Sequence, residues 1–300
     1  MKKKTLRRIA TIATAAALGV GACIVFAGCT SNYPEITITY TFNDNDYKVS
    51  YSLSRVDAPN TVKHFIELAD MGYYDGLCIH DFDDEYMYSG GYRLVNDELE
   101  AIDYFTTVRN LEQETNKTIT QTVWNRNDET PLYTVYGEFR NNGNAPANSA
   151  EYRHSLGALV MYYSDKGNFN EKVKTVRNDG GKDNNGDPYD LKAYPYNSAT
   201  SLFYTYLGSS NSTRDSNYCV FGMVKDKDEL QALLDAVKSY QESQQPEDES
   251  EDYSFTEEKS VDNVNEFEQF EDLRYGDISA TYQTPVEKPI IISSVKVTKY

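Results

Sequence analysis

The chain has 300 residues, of which 47 are acidic and 29 are lysine or arginine, so its formal net charge is −18. This balance excludes nucleic acid as a partner, because binding a phosphate backbone requires clustered positive charge. The composition instead predicts an acidic, well-solvated surface that anionic lipid repels.

The first 28 residues have the composition of a secretory signal, with five basic residues before an uncharged apolar run at 9–27. Because Cys29 directly follows Ala27-Gly28, the segment is similar to a bacterial lipoprotein signal, in which that cysteine is lipidated. Phe26 departs from that pattern, which usually has leucine there. The alternative is an uncleaved N-terminal membrane helix, since about 19 apolar residues nearly span a bilayer.

Both interpretations predict a protein at the cell membrane, with its folded part on the extracytoplasmic face. Residues 1–28 are the predicted signal peptide, and residues 29–35 are the predicted tether behind a lipid anchor at Cys29. Removing residues 1–28 takes away five positive charges and no acids, so the net charge changes from −18 to −23.

The mature chain begins with two alternating strands at 36–40 and 47–53 around the polar turn 43–46, a pattern that predicts a β-hairpin. Many short apolar runs bounded by turn residues follow, which favours an antiparallel barrel or sandwich over a parallel sheet. Further strands are predicted at 78–79, 86–88, 154–162, 201–207, 218–224 and 290–299.

Two helices are predicted. The first starts at Pro59, which suits a first helical turn, and ends before Gly72. The second covers residues 228–240, where Leu230, Leu233, Leu234 and Val237 recur at helical spacing; the same spacing in the first helix gives the face Val62, Phe65, Ile66 and Ala69.

The domain organisation is predicted as a single domain over residues 36–300 with long polar insertions at about 95–134, 166–196 and 241–285. The first insertion contains helix-like pieces such as residues 97–105. The third is strongly acidic and is predicted to have little regular structure.

Cysteine and histidine usage predicts neither a metal site nor a cofactor. The three histidines are scattered without ligand spacing, and no glycine-rich phosphate loop occurs. Cys78 and Cys219 lie in apolar strand-like runs, which predicts two buried free thiols. A disulfide between them is the alternative, and the sequence does not give the separation that would decide it.

A series of motifs resembles the cyclophilin family of peptidyl-prolyl cis–trans isomerases. Residues 58–62 (APNTV) and 72–76 (GYYDG) are followed in register by His80, Tyr86-Met87 and Gly90-Gly91. Farther along, the segments that resemble family motifs are Glu138-Phe139, residues 154–161 (HSLGALVM), residues 197–204 (NSATSLFY), residues 218–224 (YCVFGMV) and the final strand. The resemblance implies a mainly β fold, a cyclophilin-like closed antiparallel β-barrel with two flanking helices and long polar insertions.

The resemblance also implies the chemistry, in which an apolar pocket holds the proline and an arginine hydrogen-bonds the twisted amide. In this chain the position of that arginine is Asp81, an acceptor of opposite charge, so no catalytic residue is assured. Arg93, Arg153 or Arg214 are alternative donors. The substrate groove that the resemblance implies is formed by Tyr86, Met87, Ser89, Tyr162, Leu202, Tyr204 and Tyr218.

Three functional hypotheses follow. The first is a membrane-anchored isomerase that acts on exported proteins, with activity reduced by the change at Asp81. The second is a lipoprotein that has lost catalysis and binds proline-containing peptides or a protein partner. The third is a scaffold whose insertions carry an unrelated interaction.

Overall fold

The computed structural model describes residues 31–127, 129–142, 151–162, 168–177, 181–182, 185–194, 198–210, 218–246, 253–261 and 280–300. Residues 31–300 form one unit of the chain. The predicted signal and the lipidation site at Cys29 lie outside the described residues.

Among these residues the chain forms three α-helices and eighteen short strands. The helices are α1 (Pro59–Asp70), α2 (Tyr104–Thr115) and α3 (Lys227–Gln244). The strands are β1 (Glu35–Phe42), β2 (Asn45–Leu53), β3 (Leu77–Cys78), β4 (Asp81–Phe82), β5 (Tyr86–Ser89), β6 (Tyr92–Val95), β7 (Glu98–Ala101), β8 (Val123–Asn125), β9 (Val135–Tyr136), β10 (Ala158–Met161), β11 (Asn168–Val176), β12 (Tyr189–Tyr194), β13 (Ser198–Ala199), β14 (Phe203–Tyr206), β15 (Cys219–Val224), β16 (Glu257–Val261), β17 (Ala280–Thr284) and β18 (Ile291–Lys299).

A nine-stranded antiparallel sheet in the order β3-β18-β1-β2-β15-β10-β14-β5-β4 is the body of the fold. It curls strongly into a half-barrel, and its hydrogen-bonded ladder does not close, in contrast to the closed barrel that was predicted. The two edge strands, β3 and β4, are nevertheless successive parts of one segment. Ile79 N–H donates to the Ile290 carbonyl on one side at 2.8 Å, and His80 N–H donates to the Tyr88 carbonyl on the other at 3.0 Å. The predicted mainly β class is confirmed.

The inner side of the sheet packs on α1. Val62 and Phe65 of this helix are fully buried, and the Phe65 ring lies 5.2 Å from that of Phe203 and 5.0 Å from that of Phe221. Burial of several such large rings is the main stabilising contribution to a core of this kind.

The two predicted helices are confirmed as α1 and α3, and α2 is an additional one. The side chain of Asp103 accepts a hydrogen bond from Thr106 N–H at 3.0 Å, which caps the start of α2. The helix ends at Thr115, and the residue that follows it, Asn116, has a left-handed φ of 53°. Residues 98–101, which were predicted as helix-like, form strand β7 instead.

The insertions contain more regular structure than their composition predicts. β8 from the first insertion pairs with β11 from the second, and β11 pairs with β12, which gives a separate three-stranded sheet. In the acidic third insertion, α3 continues to Gln244, and β16 pairs with β17 as an antiparallel hairpin. The prediction of little regular structure is therefore wrong for these parts of the third insertion.

The start of the described chain is bonded to the body of the fold, although it falls within the predicted tether. Ser31 N–H donates to the Tyr300 carbonyl, and the Asn32 carbonyl accepts from Arg55 N–H, each at 2.9 Å. Within the described ranges no helix has both the length and the apolar composition needed to cross a membrane.

Candidate functional site

The residue at the family arginine position, Asp81, begins a row of side chains across three strands. Asp81 of β4 is paired with Tyr88 of β5, and Tyr88 is paired with Tyr204 of β14. Directly paired residues of antiparallel strands project on the same face of a sheet. The three side chains therefore line one face, opposite to the face occupied by Met87 and Phe203 in the main core.

This face carries a group of aromatic side chains that we call the outer tyrosine cluster. The Tyr204 ring lies 4.7 Å from the Tyr88 ring and 5.4 Å from the Tyr86 ring, and Tyr86 also contacts Tyr206 at 5.6 Å. The members of the cluster are Tyr86, Tyr88, His154, Tyr204, Tyr206 and Tyr218. Tyr162 contacts its edge, with a ring distance of 6.3 Å to Tyr88.

His154 covers the centre of the outer tyrosine cluster. Its Nε2 atom lies 3.2 Å from the hydroxyl of Tyr204, and its ring lies 4.4 Å from that of Tyr206 in an edge-to-face contact. Both His154 and Tyr204 are completely buried. Tyr204, which was predicted as a groove residue, therefore has no surface that a proline could contact without moving its neighbours.

Asp81 is engaged by another part of the chain. Its Oδ1 atom accepts a hydrogen bond from the backbone N–H of Gln283 in β17 at 2.8 Å. Burial raises the pKa of Asp81, and the charge of Asp83 raises it further, while the bond from Gln283 lowers it. The side chain is thus an acceptor that holds an inserted strand, which is the reverse of the donor role of an arginine.

The hairpin of β16 and β17 and the residues just before it pack at several further points on residues 58–91, which carry the first family-like motifs and are called the signature segment below. The Thr284 hydroxyl donates to the His80 carbonyl at 2.7 Å, and the Tyr282 ring lies 4.8 Å from the His80 ring. His80 itself is buried, and this burial lowers its pKa to about 3. On the other side of β4, Phe255 contacts Phe82 with a ring distance of 5.6 Å. The acidic insertion therefore holds residues 80–82 by hydrogen bonds on one side and by an aromatic contact on the other.

The residues that the sequence assigned to the groove divide into two groups. Tyr86, Tyr204 and Tyr218 lie together in the outer tyrosine cluster, with the exposed Tyr162 at its edge. The other three residues lie elsewhere: Met87 is in the main core, the Ser89 hydroxyl donates to the Cys78 carbonyl at 2.8 Å, and Leu202 packs with Cys78, Tyr92 and Leu99.

Sequence reasoning missed three members of this face, namely Tyr88, Tyr206 and His154 as its cover. The period of two along a strand was a usable signal, because Tyr86 with Tyr88 and Tyr204 with Tyr206 must share a face. The role of His154 depends on a loop that folds over the sheet, and no local pattern indicates it.

The turn between β4 and β5 concentrates acidic groups beside the cluster. The Asp83 Oδ1 atom accepts hydrogen bonds from the N–H groups of Glu85 and Tyr86, both at 2.7 Å, which fixes the turn. Burial raises the pKa of Tyr88, and smaller contributions come from Tyr218, Tyr162, Asp81 and Asp83. Burial likewise raises the pKa of Tyr206, and the charge of Glu85 makes a smaller contribution in the same direction.

The two cysteines of the described chain are free and buried, so the prediction of free thiols is confirmed and the alternative disulfide is wrong. Burial raises the pKa of Cys78 to about 12. Within the part of the chain that the structure describes, no group of three His, Cys, Asp or Glu side chains is placed to hold a metal ion. Of the three alternative donors, Arg93 on β6 and Arg153 are exposed, and Arg214 lies outside the described residues.

Residues 38–173 match the model of the family described as cyclophilin type peptidyl-prolyl cis-trans isomerase/CLD. The chain carries a cyclophilin-type domain. The match includes the signature segment with Asp81 and the outer-face residues Tyr86, Tyr88 and Tyr162, whereas Tyr204 and Tyr218 lie beyond its end. The comparison with curated proteins finds no match.

Two solved structures of a cyclophilin type peptidyl-prolyl cis-trans isomerase from Cryptosporidium parvum are similar to the chain. The first is 15% identical, covers 89% of this chain and 99% of its own, and has a TM-score of 0.41. The second, determined in the presence of the dipeptide Ala-Pro, is 14% identical with the same coverage and a TM-score of 0.40. The assignment of the cyclophilin-type domain rests on the family match.

Proposed function

We propose that the chain is a membrane-anchored, extracytoplasmic cyclophilin-type protein that acts on proline-containing segments of exported proteins with strongly reduced isomerase activity. The cyclophilin-type domain supports the substrate class. The observation that carries the reduced activity is the carboxylate of Asp81, which accepts the Gln283 N–H at the position of the family arginine.

The physical reason for reduced activity is the loss of a preorganised donor. Isomerisation of an X-Pro bond is slow because twisting the amide removes its partial double-bond character. A donor aimed at the twisted amide stabilises the transition state, and removing one such donor costs about 10²–10³ in rate by analogy with an oxyanion hole. A carboxylate supplies no hydrogen to that bond.

A second candidate, binding without catalysis, is favoured by the burial of Tyr204. His154 and the neighbouring tyrosines cover this ring, while Tyr162 and parts of Tyr86, Tyr88 and Tyr218 reach solvent. Such a face suits contact with a proline-containing segment along its surface better than insertion of a proline ring into a pocket.

A protease-free isomerisation assay on an Ala-Pro peptide tests the proposal, with an arginine-bearing cyclophilin as reference. We expect kcat/KM about 10²–10³ lower than that of the reference. A value within tenfold of the reference contradicts reduced activity. Peptide binding observed by NMR without turnover favours the second candidate, and the absence of both favours a scaffold that serves its insertions.

Replacement of the lipidation residue tests the proposed anchor. We expect Cys29→Ser to abolish lipid labelling and to release the protein from membrane fractions, while Cys23→Ser leaves both unchanged. Wild-type protein that is at the membrane without a lipid label and still carries residues 1–28 would instead support an N-terminal membrane helix.

A further inference from the structure

The first described residues of the chain are bonded to the folded body. Arg55 donates twice to them, from its backbone N–H to the Asn32 carbonyl at 2.9 Å and from Nη1 to the Ser31 carbonyl at 2.7 Å. The N–H of Ser31 in turn donates to the Tyr300 carbonyl at 2.9 Å. The chain therefore reaches a fixed point on the domain at Ser31.

This fixed point is very close in sequence to the proposed lipidation site. Only Thr30 separates Ser31 from Cys29. Because an extended chain advances at most about 3.6 Å per residue, the two Cα atoms that flank Thr30 are no more than about 7 Å apart. When Cys29 carries acyl chains that insert into a bilayer, the surface around Ser31 must lie close to the lipid headgroups.

Exposed apolar and aromatic side chains are found at the same place. Tyr33 is 41% exposed, Val56, which follows Arg55, is 43% exposed, and Tyr300 is 55% exposed. We call these three side chains the anchor face. The Tyr33 ring is stacked on that of Tyr152, with a centroid distance of 6.1 Å, which gives it a defined position. Tyrosine suits the boundary between membrane and water, because its ring is apolar and its hydroxyl is polar.

The charges near the anchor face do not oppose contact with lipid, although the chain as a whole is strongly acidic. Both signs are present in similar numbers among the charged residues that contact the segment at Ser31, contact the anchor face or adjoin their neighbours. These residues include Arg55, Arg153, Lys225 and Lys299, and Glu35, Asp57, Asp70 and Glu151. Repulsion by an anionic surface is therefore weaker here than the net charge of the chain suggests.

We propose that the anchor face rests on the headgroup layer of the lipid bilayer, so that the domain is held directly against the membrane. The inference rests on the proposed lipid anchor at Cys29 and adds the side of the domain that contacts lipid. Attachment through so short a segment makes this contact intramolecular. The effective concentration of lipid at the anchor face is then high, and the modest affinity of three side chains is sufficient.

Spin labels on the lipidated protein in phosphatidylcholine vesicles test the orientation. One label is placed at Val56→Cys, and the matched control is at Val95→Cys, which is 38% exposed on β6. β6 contacts β3, which pairs with β18 at Ile291 and Ile292, the end of that strand far from Lys299. We expect a water-soluble nickel chelate to relax the Val56 label about threefold less than the Val95 label, because lipid headgroups cover the first.

A second pair of variants tests whether the anchor face itself makes the contact. Tyr33→Glu adds a charge to the face and should return the ratio of the two labels towards one. Leu191→Glu, at an exposed position on β12, should leave the ratio unchanged. A ratio that Tyr33→Glu does not alter contradicts the role of the face.

A mass spectrum of the N-terminal peptide separates failure of the inference from failure of the proposed anchor. If Cys29 carries no lipid, both are wrong. If Cys29 is lipidated and the chelate reaches both labels equally, or reaches the Val95 label less, the anchor stands and the inference alone is wrong. Dipolar broadening of the Val56 label would place a second copy of the chain on this face and would also overturn the inference.

Discussion

The Oε2 atom of Glu138 lies 2.7 Å from the backbone nitrogen of Thr61, 77 positions earlier in the chain. Oε1 of the same carboxylate accepts from Asn60 N–H at 3.1 Å. Because Pro59 has no N–H, these are the first two N–H groups of α1, and one side chain accepts from both of them. The residue before the helix, Ala58, provides no side-chain cap. The glutamate of the Glu138-Phe139 motif therefore acts as a remote cap for the signature helix.

We expect Glu138→Gln to lower the free energy of unfolding by about 1–3 kcal/mol, because the amide keeps one acceptor but turns a donor towards a second buried N–H. Burial raises the pKa of this carboxyl to about 7, so the comparison is best made by urea unfolding at pH 8, where the wild-type group is ionised. Glu114→Gln, an exposed position on α2, is the control. Equal stability of wild type and Glu138→Gln would contradict the capping role.

Acid should destabilise the fold through His64. Its Nε2 atom lies 2.8 Å from the Thr200 carbonyl, and burial lowers its pKa from 6.5 to about 4. A histidine with a depressed folded pKa contributes its full stability above pH 6.5 and loses it as the pH falls towards 4. We expect a loss of about 2–3 kcal/mol from this group across that window. In His64→Gln, which can still donate to the carbonyl, the loss should shrink by that amount in urea unfolding at pH 7 and pH 4.5.

The hydrogen bond from Gln283 N–H to Asp81 should contribute to the free energy of unfolding and to the protection of β17 from hydrogen exchange. We expect Asp81→Ala to lower the free energy of unfolding by about 1 kcal/mol, because the Gln283 N–H loses its acceptor. Asp81→Asn keeps the acceptor and should be close to wild type. Hydrogen exchange at Gln283 N–H checks the assignment: it should be faster only in Asp81→Ala, and equal protection in both variants would refute it.

Neither Cys78 nor Cys219 should react with a thiol reagent in the native protein. Both are almost completely buried, and only a thiolate reacts efficiently. In a chain with Cys23 and Cys29 replaced by serine, we expect no labelling at pH 8 before unfolding and two labelled thiols after unfolding without reductant. Val95→Cys, at an exposed position, is the positive control. No labelling after unfolding would mean that a disulfide had formed.

The parts of the fold that were predictable are those with a local cause. The hairpin of β1 and β2 follows from alternation around Asn43 and Asp44, whose φ values of 47° and 62° are the left-handed pair that such a tight turn requires. Similarly, α1 follows from Pro59 and a periodic apolar face. α2 was missed because it buries only Tyr104, Phe105 and Val108, too few residues to show a clear helical period.

The site was predictable only in part, for a different reason. The order of motifs identified Tyr86, Tyr204 and Tyr218, which the structure brings to one face. The partner of Asp81 was out of reach, since Gln283 is 202 positions away in a segment whose composition indicates no regular structure. Every residue except proline has a backbone N–H, so the residue type at position 283 does not indicate that this group donates to Asp81.

The pairing of β8 with β11 has a consequence for how this domain is engineered or compared with simpler relatives. The register places β8 opposite β11, with Asn125, Trp124 and Val123 facing Val173, Lys174 and Thr175. Each insertion therefore supplies the hydrogen-bonding partner for a strand of the other insertion. Deleting the first insertion alone would leave one edge of β11 without its hydrogen-bonding partner. An exposed strand edge of this kind can pair with another chain and so favours aggregation. Chimeras and shortened versions of the domain must therefore exchange or remove the two segments together.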